Sequence, residues 1–218
     1  MQLHERYRPN RLERIVGQPL RPLKALAAAP ESCCVLLEGP TGCGKTTTAF
    51  ALANELGCYS GPMFETVYTV CGADFNAEQV RHWFGPTTPF RFRAPGGWHV
   101  LVIEELEELS RQCQRLCKDA FERKLGRYHT IVVATSNDAS RLEKALRHRF
   151  RTYHFGAGGP FAEACVERLA AIWQRETGGL DLPCGWQSWG WDGDEFSMRL
   201  ALDLMAEHLN LAQREVAV

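Results

Sequence analysis

The stretch GPTGCGKT, Gly39 to Thr46, has the residue types and spacing of a loop that closes around phosphate. Such a loop must aim backbone N–H groups at oxygen anions, and glycine permits the tight turns and the close approach. Gly39, Pro40, Thr41, Gly42, Cys43 and Gly44 supply the loop. Lys45, Thr46 and Thr47 open the helical pattern that follows, whose N-terminal end carries partial positive charge. Lys45 would reach the β- and γ-phosphates, and Thr46 a magnesium ion. An apolar run, CCVLLEG, precedes the loop and a helix-forming run, TTAFALANELG, follows it. That context predicts a nucleotide-binding turn between a strand and a helix.

Residues 100–109 read VLVIEELEEL, an apolar run that ends in acids. In a parallel sheet the C-terminal ends of neighbouring strands converge on one edge. Glu104 would then face the metal, and Glu105 would orient and deprotonate a water. Glu107 and Glu108 are explained as charges favoured at a helix start. TIVVATSND ends another strand in a polar cluster, where the Asn137 amide could hold the attacking water or sense the γ-phosphate. Ser136, Asn137, Asp138 or Ser140 could equally cap a helix over residues 140–145.

These residues need a scaffold. Candidate strands are 33–39, 64–70, 99–104, 130–135 and 151–155, each rich in β-branched, aromatic or other apolar residues. Helical patterns fall between them, over Lys45–Leu56, Asn76–Phe84, Glu107–Lys124 and Ser140–Ala145. The alternation predicts an α/β fold with a mainly parallel sheet. GAGGP, residues 156–160, reads as a hinge. We therefore expect one domain over 1–157 and a smaller helical one over 158–218. Trp186, Trp189 and Trp191 are expected to fill the core of the second rather than stack on bases.

Composition narrows the class. Hydrophobic residues make up 45% and charged residues 23%, enough for a real core. No apolar run approaches the ~18 residues of a membrane span, and the charged start MQLHERYRPN has no signal-peptide core. The expectation is an intracellular, cytoplasmic protein. The net charge of −1 gives no global nucleic-acid footprint, so DNA binding would need local basic faces such as FRFR (90–93) or LRHRFR (146–151). Nine scattered cysteines fit reduced thiols. Cys113 and Cys117 share a helix face, and we expect them to be buried there rather than to bind a metal.

Together these strings resemble an AAA+ ATPase of the clamp-loader group, similar to replication factor C small subunits and phage clamp-loader ATPase subunits. ERYRPNRLERIVGQ resembles its N-terminal box, GPTGCGKTT its Walker A, VLVIEELEELSRQCQRLCKDAFER its Walker B strand and following helix, and VVATSND its sensor 1. EKALRHRF resembles the arginine-finger segment and FSMRLALDLM the lid helix bearing sensor 2. The resemblance implies a P-loop NTPase fold: a five-stranded sheet flanked by helices, plus a small C-terminal helical lid. It implies ATP and Mg²⁺ as cofactors. Tyr7, Arg8, Pro9, Val16 and Gly17 would border the adenine. Arg199 would touch the γ-phosphate from the lid, and Arg149, twelve residues after Asn137, would reach into a neighbouring subunit's site. Arg147 and Arg151 are alternatives for that last role. Implied partners are other AAA+ subunits, DNA through the assembly, and a sliding clamp; Arg81, Arg91 and Arg93 are candidate DNA contacts.

The chain departs from that pattern in three ways. The finger triplet is His148-Arg149-Phe150 rather than Ser-Arg-Cys, the Walker B acid is Glu104 rather than Asp, and the sequence stops at Val218, without residues for the family's C-terminal collar. These departures keep a second reading in play: a nucleotide-gated interaction module with slow or no hydrolysis. Other DNA-directed AAA+ roles, such as helicase loading, branch migration or transposition targeting, also fit the motifs.

Overall fold

The computed structural model describes residues 2–58, 66–85 and 96–216. Its strands are β1 (Cys34–Glu38), β2 (Val67–Cys71), β3 (His99–Glu104), β4 (Thr130–Ser136) and β5 (Phe150–His154). All pair in parallel, in the order β2-β3-β4-β1-β5. The helices are α1 (Leu3–Arg6), α2 (Arg21–Ala28), α3 (Lys45–Glu55), α4 (Ala77–Phe84), α5 (Arg111–Lys124), α6 (Lys144–Arg147), α7 (Gly159–Thr177) and α8 (Met198–Val216). A short hairpin, β6 (Trp191–Asp192) with β7 (Glu195–Phe196), sits between α7 and α8.

Successive side chains on a strand point to opposite faces, so a strand buried on both faces feeds two cores. Val35 and Leu37 of β1, Val100 and Val102 of β3, and Ile131 and Val133 of β4 pack on one face with α2, α3, α7 and α8. Cys34 and Leu36, Leu101 and Ile103, and Val132 and Ala134 pack on the other with α4, α5 and α6. The first core continues without a break from the sheet into α7 and α8, through Phe161, Trp173, Phe196 and Met205.

The α/β class and the parallel five-stranded sheet are as expected. Two helices differ. The pattern over Glu107–Lys124 splits into a 3-10 turn, Leu106–Glu108, and α5, where the Ser110 hydroxyl accepts the Cys113 N–H at 3.3 Å. The pattern over Ser140–Ala145 splits into a 3-10 turn, Ala139–Arg141, and α6. Each break takes one leucine, Leu109 or Leu142, out of helical backbone and buries it in the second core. Burial of that side chain outweighs the continuity of the helix. β2 starts at Val67; residues 64 and 65 of the expected strand, and Arg91 and Arg93 with the FRFR run, lie outside the described residues.

The tryptophans divide. Trp189 is buried and stacks on His208, Trp186 is half-buried, and Trp191 stays largely exposed with its ring edge to Phe196. Cys113 and Cys117 are buried as expected, and burial pushes the Cys117 thiol up to about 12. Among the described residues no helix is long and apolar enough to cross a membrane.

Candidate functional site

The loop leaving β1 leads to the far edge of the sheet, whereas β3 and β4 return towards β1. The C-terminal ends of β1, β3 and β4 therefore open on a crevice, the usual ligand position in such sheets. A cavity of about 530 Å³ lies there, closed above by the N-terminal segment, α7 and the start of α8.

The glycine-bearing loop runs from β1 into α3. Gly42 has φ +82°, and a Cβ there would lie 2.0 Å from the Ser197 hydroxyl oxygen, so only glycine fits between the loop and α8. The Gly42 carbonyl also accepts the Met198 N–H at 3.3 Å. Lys45 is buried, and its Nζ donates to the carbonyls of Gly39 and Pro40, each at 2.6 Å, and to Asn137 Oδ1 at 2.9 Å. Burial pushes the Lys45 ammonium down from its ordinary pKa, while Cys43, Glu107 and Glu105 oppose that shift.

Beyond β3 the backbone turns sharply at Glu105, which holds φ 54° and ψ 54°. A non-glycine residue in that region carries strain, commonly found where function fixes a side chain. Two contacts hold it. The Glu105 N–H donates to Thr135 Oγ1 at 3.3 Å, and Gly72 gives the Glu105 carbonyl room, since a Cβ at Gly72 would lie 2.2 Å from that oxygen. Cys71 Sγ lies 3.8 Å from Glu105 Oε2.

Most of the expected residues meet here. Tyr7, Arg8, Pro9, Val16, Thr41, Gly42, Cys43, Gly44, Lys45, Thr46, Thr47, Glu104, Glu105, Asn137 and Arg199 all line the cavity. Gly39 and Pro40 act from behind it, through their carbonyls to Lys45. Gly17 lies against Phe161, itself in the cavity wall. Arg149 is not part of this wall. It precedes β5 at the opposite end of the sheet and pairs with Glu122 at 2.7 Å. Arg81, on α4, is exposed and outside the wall as well.

Glu107 needs correcting. The sequence reading gave it only a helix-start charge, but it is buried, and its Oε1 accepts the Asn137 N–H at 2.8 Å. Its second oxygen has no hydrogen-bond partner among the described residues. Glu107, Asn137 and Lys45 thus form a chain from the turn after β3 to the glycine-bearing loop. Glu108 does behave as a surface charge, pairing with Arg141 at 2.8 Å. Glu107→Ala removes a hydrogen bond between the Asn137 N–H and a charged acceptor, a contact worth about 1.5–3 kcal/mol of stability. Glu107→Gln, which keeps an acceptor, should recover most of it; urea unfolding of the two variants checks this.

Sequence reasoning also missed Thr135, Cys71, Gln18 and Arg168. Thr135 stood next to the polar cluster that was singled out. Gln18 Nε2 donates to the Cys43 and Gly156 carbonyls at 3.0 and 2.9 Å, fastening the N-terminal segment to the loop and to the chain entering α7. Nothing in the local pattern distinguished Cys71 or Arg168. Asp138 is the cap among the alternatives, accepting the Ser140 N–H at 2.8 Å, which leaves Asn137 free to face Lys45.

The donor set suits magnesium. The Thr46 hydroxyl and one carboxylate, Glu104, match an ion that keeps water and phosphate for most of its ligands. Among the described residues no group of three or more His, Cys, Asp or Glu is placed to hold a metal alone.

Comparison with known proteins agrees with this fold. The model of the family described as "ATPase family associated with various cellular activities (AAA)" matches residues 35–156. The replication factor C large subunit of Methanothrix thermoacetophila is 28% identical over 158 residues, 69% of this chain and 32% of that protein. The Holliday junction branch migration complex subunit RuvB of a Synechococcus species is 28% identical over 199 residues, 77% of this chain and 51% of that protein. This chain therefore spans about a third of the first relative's length and about half of the second's. The structure of the Thermotoga maritima RuvB branch migration motor superposes with a TM-score of 0.67 at 22% identity, over 94% of this chain and 67% of that one.

Proposed function

The chain belongs to the AAA family of ATPases, and on that premise we propose that it binds ATP with Mg²⁺ and hydrolyses it to drive loading or remodelling of a partner on DNA, as a clamp-loader-like subunit. The observation that carries this reading is the convergence of Lys45, Glu104, Glu105, Asn137 and Arg199 on one cavity. Likeness to replication factor C tilts the biological role towards replication, and the comparable likeness to RuvB keeps branch migration as the competing role.

The roles follow from position and chemistry. The loop from Gly39 to Gly44 would cradle the phosphates, and Lys45 would turn from the Gly39 and Pro40 carbonyls to the β- and γ-oxygens. Thr46 and Glu104 would hold the magnesium ion, which offsets phosphate charge. Glu105 would take the proton of the attacking water, with Asn137 orienting that water and Arg199 meeting the γ-phosphate from α8. Tyr7, Arg8, Pro9, Val16 and Gly17 would enclose the adenine. We assign Arg149 to a neighbouring subunit's site, because it lies at the far end of the sheet from this chain's own cavity. An always-charged, planar fork there would make hydrolysis wait on assembly. We further assign residues 1–157 to the nucleotide-binding domain and 158–218 to the lid, and place the protein in the cytoplasm, with other AAA+ subunits, DNA and a sliding clamp as partners.

Glu104 favours a damped version of this activity. It is one methylene longer than the aspartate it replaces, and small displacements at a reacting centre cost rate steeply. Glu104→Asp should raise turnover by about tenfold or more while ATP affinity stays nearly constant. Phosphate release and ATP titration on the same preparations check this. Equal turnover in both forms would remove Glu104 as the limiting feature.

A further inference from the structure

Where the N-terminal segment meets α7, the nucleotide cavity adjoins a smaller bay of about 150 Å³. Arg6, Arg8, Arg14, Arg168 and Arg175 line it, with Tyr7 between them, and no carboxylate does. Lys plus Arg number 25 in the chain against 26 Asp plus Glu, so this concentration is local. Arg168 and Arg175 stand seven residues apart on α7, two turns along one face. The other three arrive from the chain before α2. Arg6 and Arg175 lie over the Tyr7 ring, with guanidinium carbons 5.4 and 5.8 Å from its centre. Arg8 lies over Phe50 at 4.9 Å. The rings thus fix three of the five forks in place.

Among the described residues one acid pairs directly with the group, while Glu104 and Glu5 act on Arg8 from farther off. Glu176 pairs with Arg6 and accepts the Tyr7 hydroxyl. Arg8, Arg14, Arg168 and Arg175 have no carboxylate within 4.0 Å among the described residues. A purely structural cluster would be interleaved with acids, because like charges at short range repel. Arginine forks held on aromatic rings around a concavity are suited to a tetrahedral oxyanion, which they grip by paired N–H donors.

We propose that this bay is a second anion site, separate from the phosphate loop, that takes a phosphate or pyrophosphate group. Its volume of about 150 Å³ suits a small anion. Two sources carry that chemistry: a free inorganic anion, or an additional phosphate on the ribose of a nucleotide seated next door. The second rests on the nucleotide reading above, and Tyr7, Arg8, Arg14 and Arg168 are common to both walls.

The test is calorimetric titration of pyrophosphate into the protein saturated with ADP, so that the phosphate loop is already filled. Arg175, which lines the bay and not the main cavity, is the residue to change. We expect one equivalent to bind, about tenfold more weakly in Arg175→Ala and with part of the loss restored in Arg175→Lys. ADP carrying a 3′-phosphate that binds about tenfold tighter than ADP, and blocks pyrophosphate, would assign the ribose source; pyrophosphate binding without that preference would assign the free anion. Absence of both effects, or binding indifferent to Arg175→Ala, would overturn the site. Displacement of pyrophosphate by a short DNA duplex at equal affinity would overturn the small-anion assignment in favour of a strand backbone. In a chain that does not bind ADP, which would sink the nucleotide reading, the same titration without ADP still decides the bay.

Discussion

Glu105→Gln should lower ATP turnover by about 10²- to 10⁴-fold, the range for loss of a positioned general base. ATP affinity should change little, because glutamine keeps the size of the side chain and removes only its basicity. The same position allows a second, opposite readout. Glu105 holds a left-handed backbone at φ 54°, which costs about 1–3 kcal/mol in a residue other than glycine. Glu105→Gly should therefore lose turnover as fully while keeping or raising the melting temperature. A residue retained for packing would behave the other way, losing stability and keeping activity. Single-turnover hydrolysis and thermal unfolding of the two variants separate these outcomes.

Lys45→Ala should act earlier, on binding. Its ammonium is buried and shared among the Gly39 and Pro40 carbonyls and Asn137. It is thus a charge held ready at the centre of the loop rather than a solvated one. Each charge-assisted hydrogen bond to phosphate is worth about 1.5–3 kcal/mol, so its loss should weaken ATP binding by at least about tenfold and abolish measurable turnover. Lys45→Arg is not a neutral control, because a planar fork cannot occupy the position of a point charge between two carbonyls. Fluorescent nucleotide titration checks the binding loss, and normal urea unfolding would show that the fold survives it. Binding unchanged in Lys45→Ala would remove the phosphate loop from the account.

The parts of this structure that local pattern determines were legible in the sequence. Near-continuous apolar runs along β1, β3 and β4 mark strands buried on both faces, and they are. The loop from Gly39 to Thr46 is contiguous, so its geometry follows from its own glycines. What pattern did not reveal depends on long-range contact. Glu107 looks like one more acid in an acidic turn; its burial follows from β4 delivering the Asn137 N–H 30 residues later in the chain. The arginine bay joins residues from before α2 to residues on α7, and no local window contains both. The broken helices have the same origin, since Leu109 and Leu142 are drawn into the second core by packing that helical periodicity does not encode. The resemblance to the clamp-loader group singles out Arg149, and its place at the far end of the sheet separates it from the chain's own cavity.

The most direct test of the central claim is steady-state phosphate release from ATP and Mg²⁺, measured over a range of protein concentration with and without DNA. The account predicts slow, magnesium-dependent release that rises more steeply than protein concentration, as expected if a neighbour's Arg149 completes each site. No release at any concentration, with DNA present and after mixing with other AAA+ subunits, would contradict it.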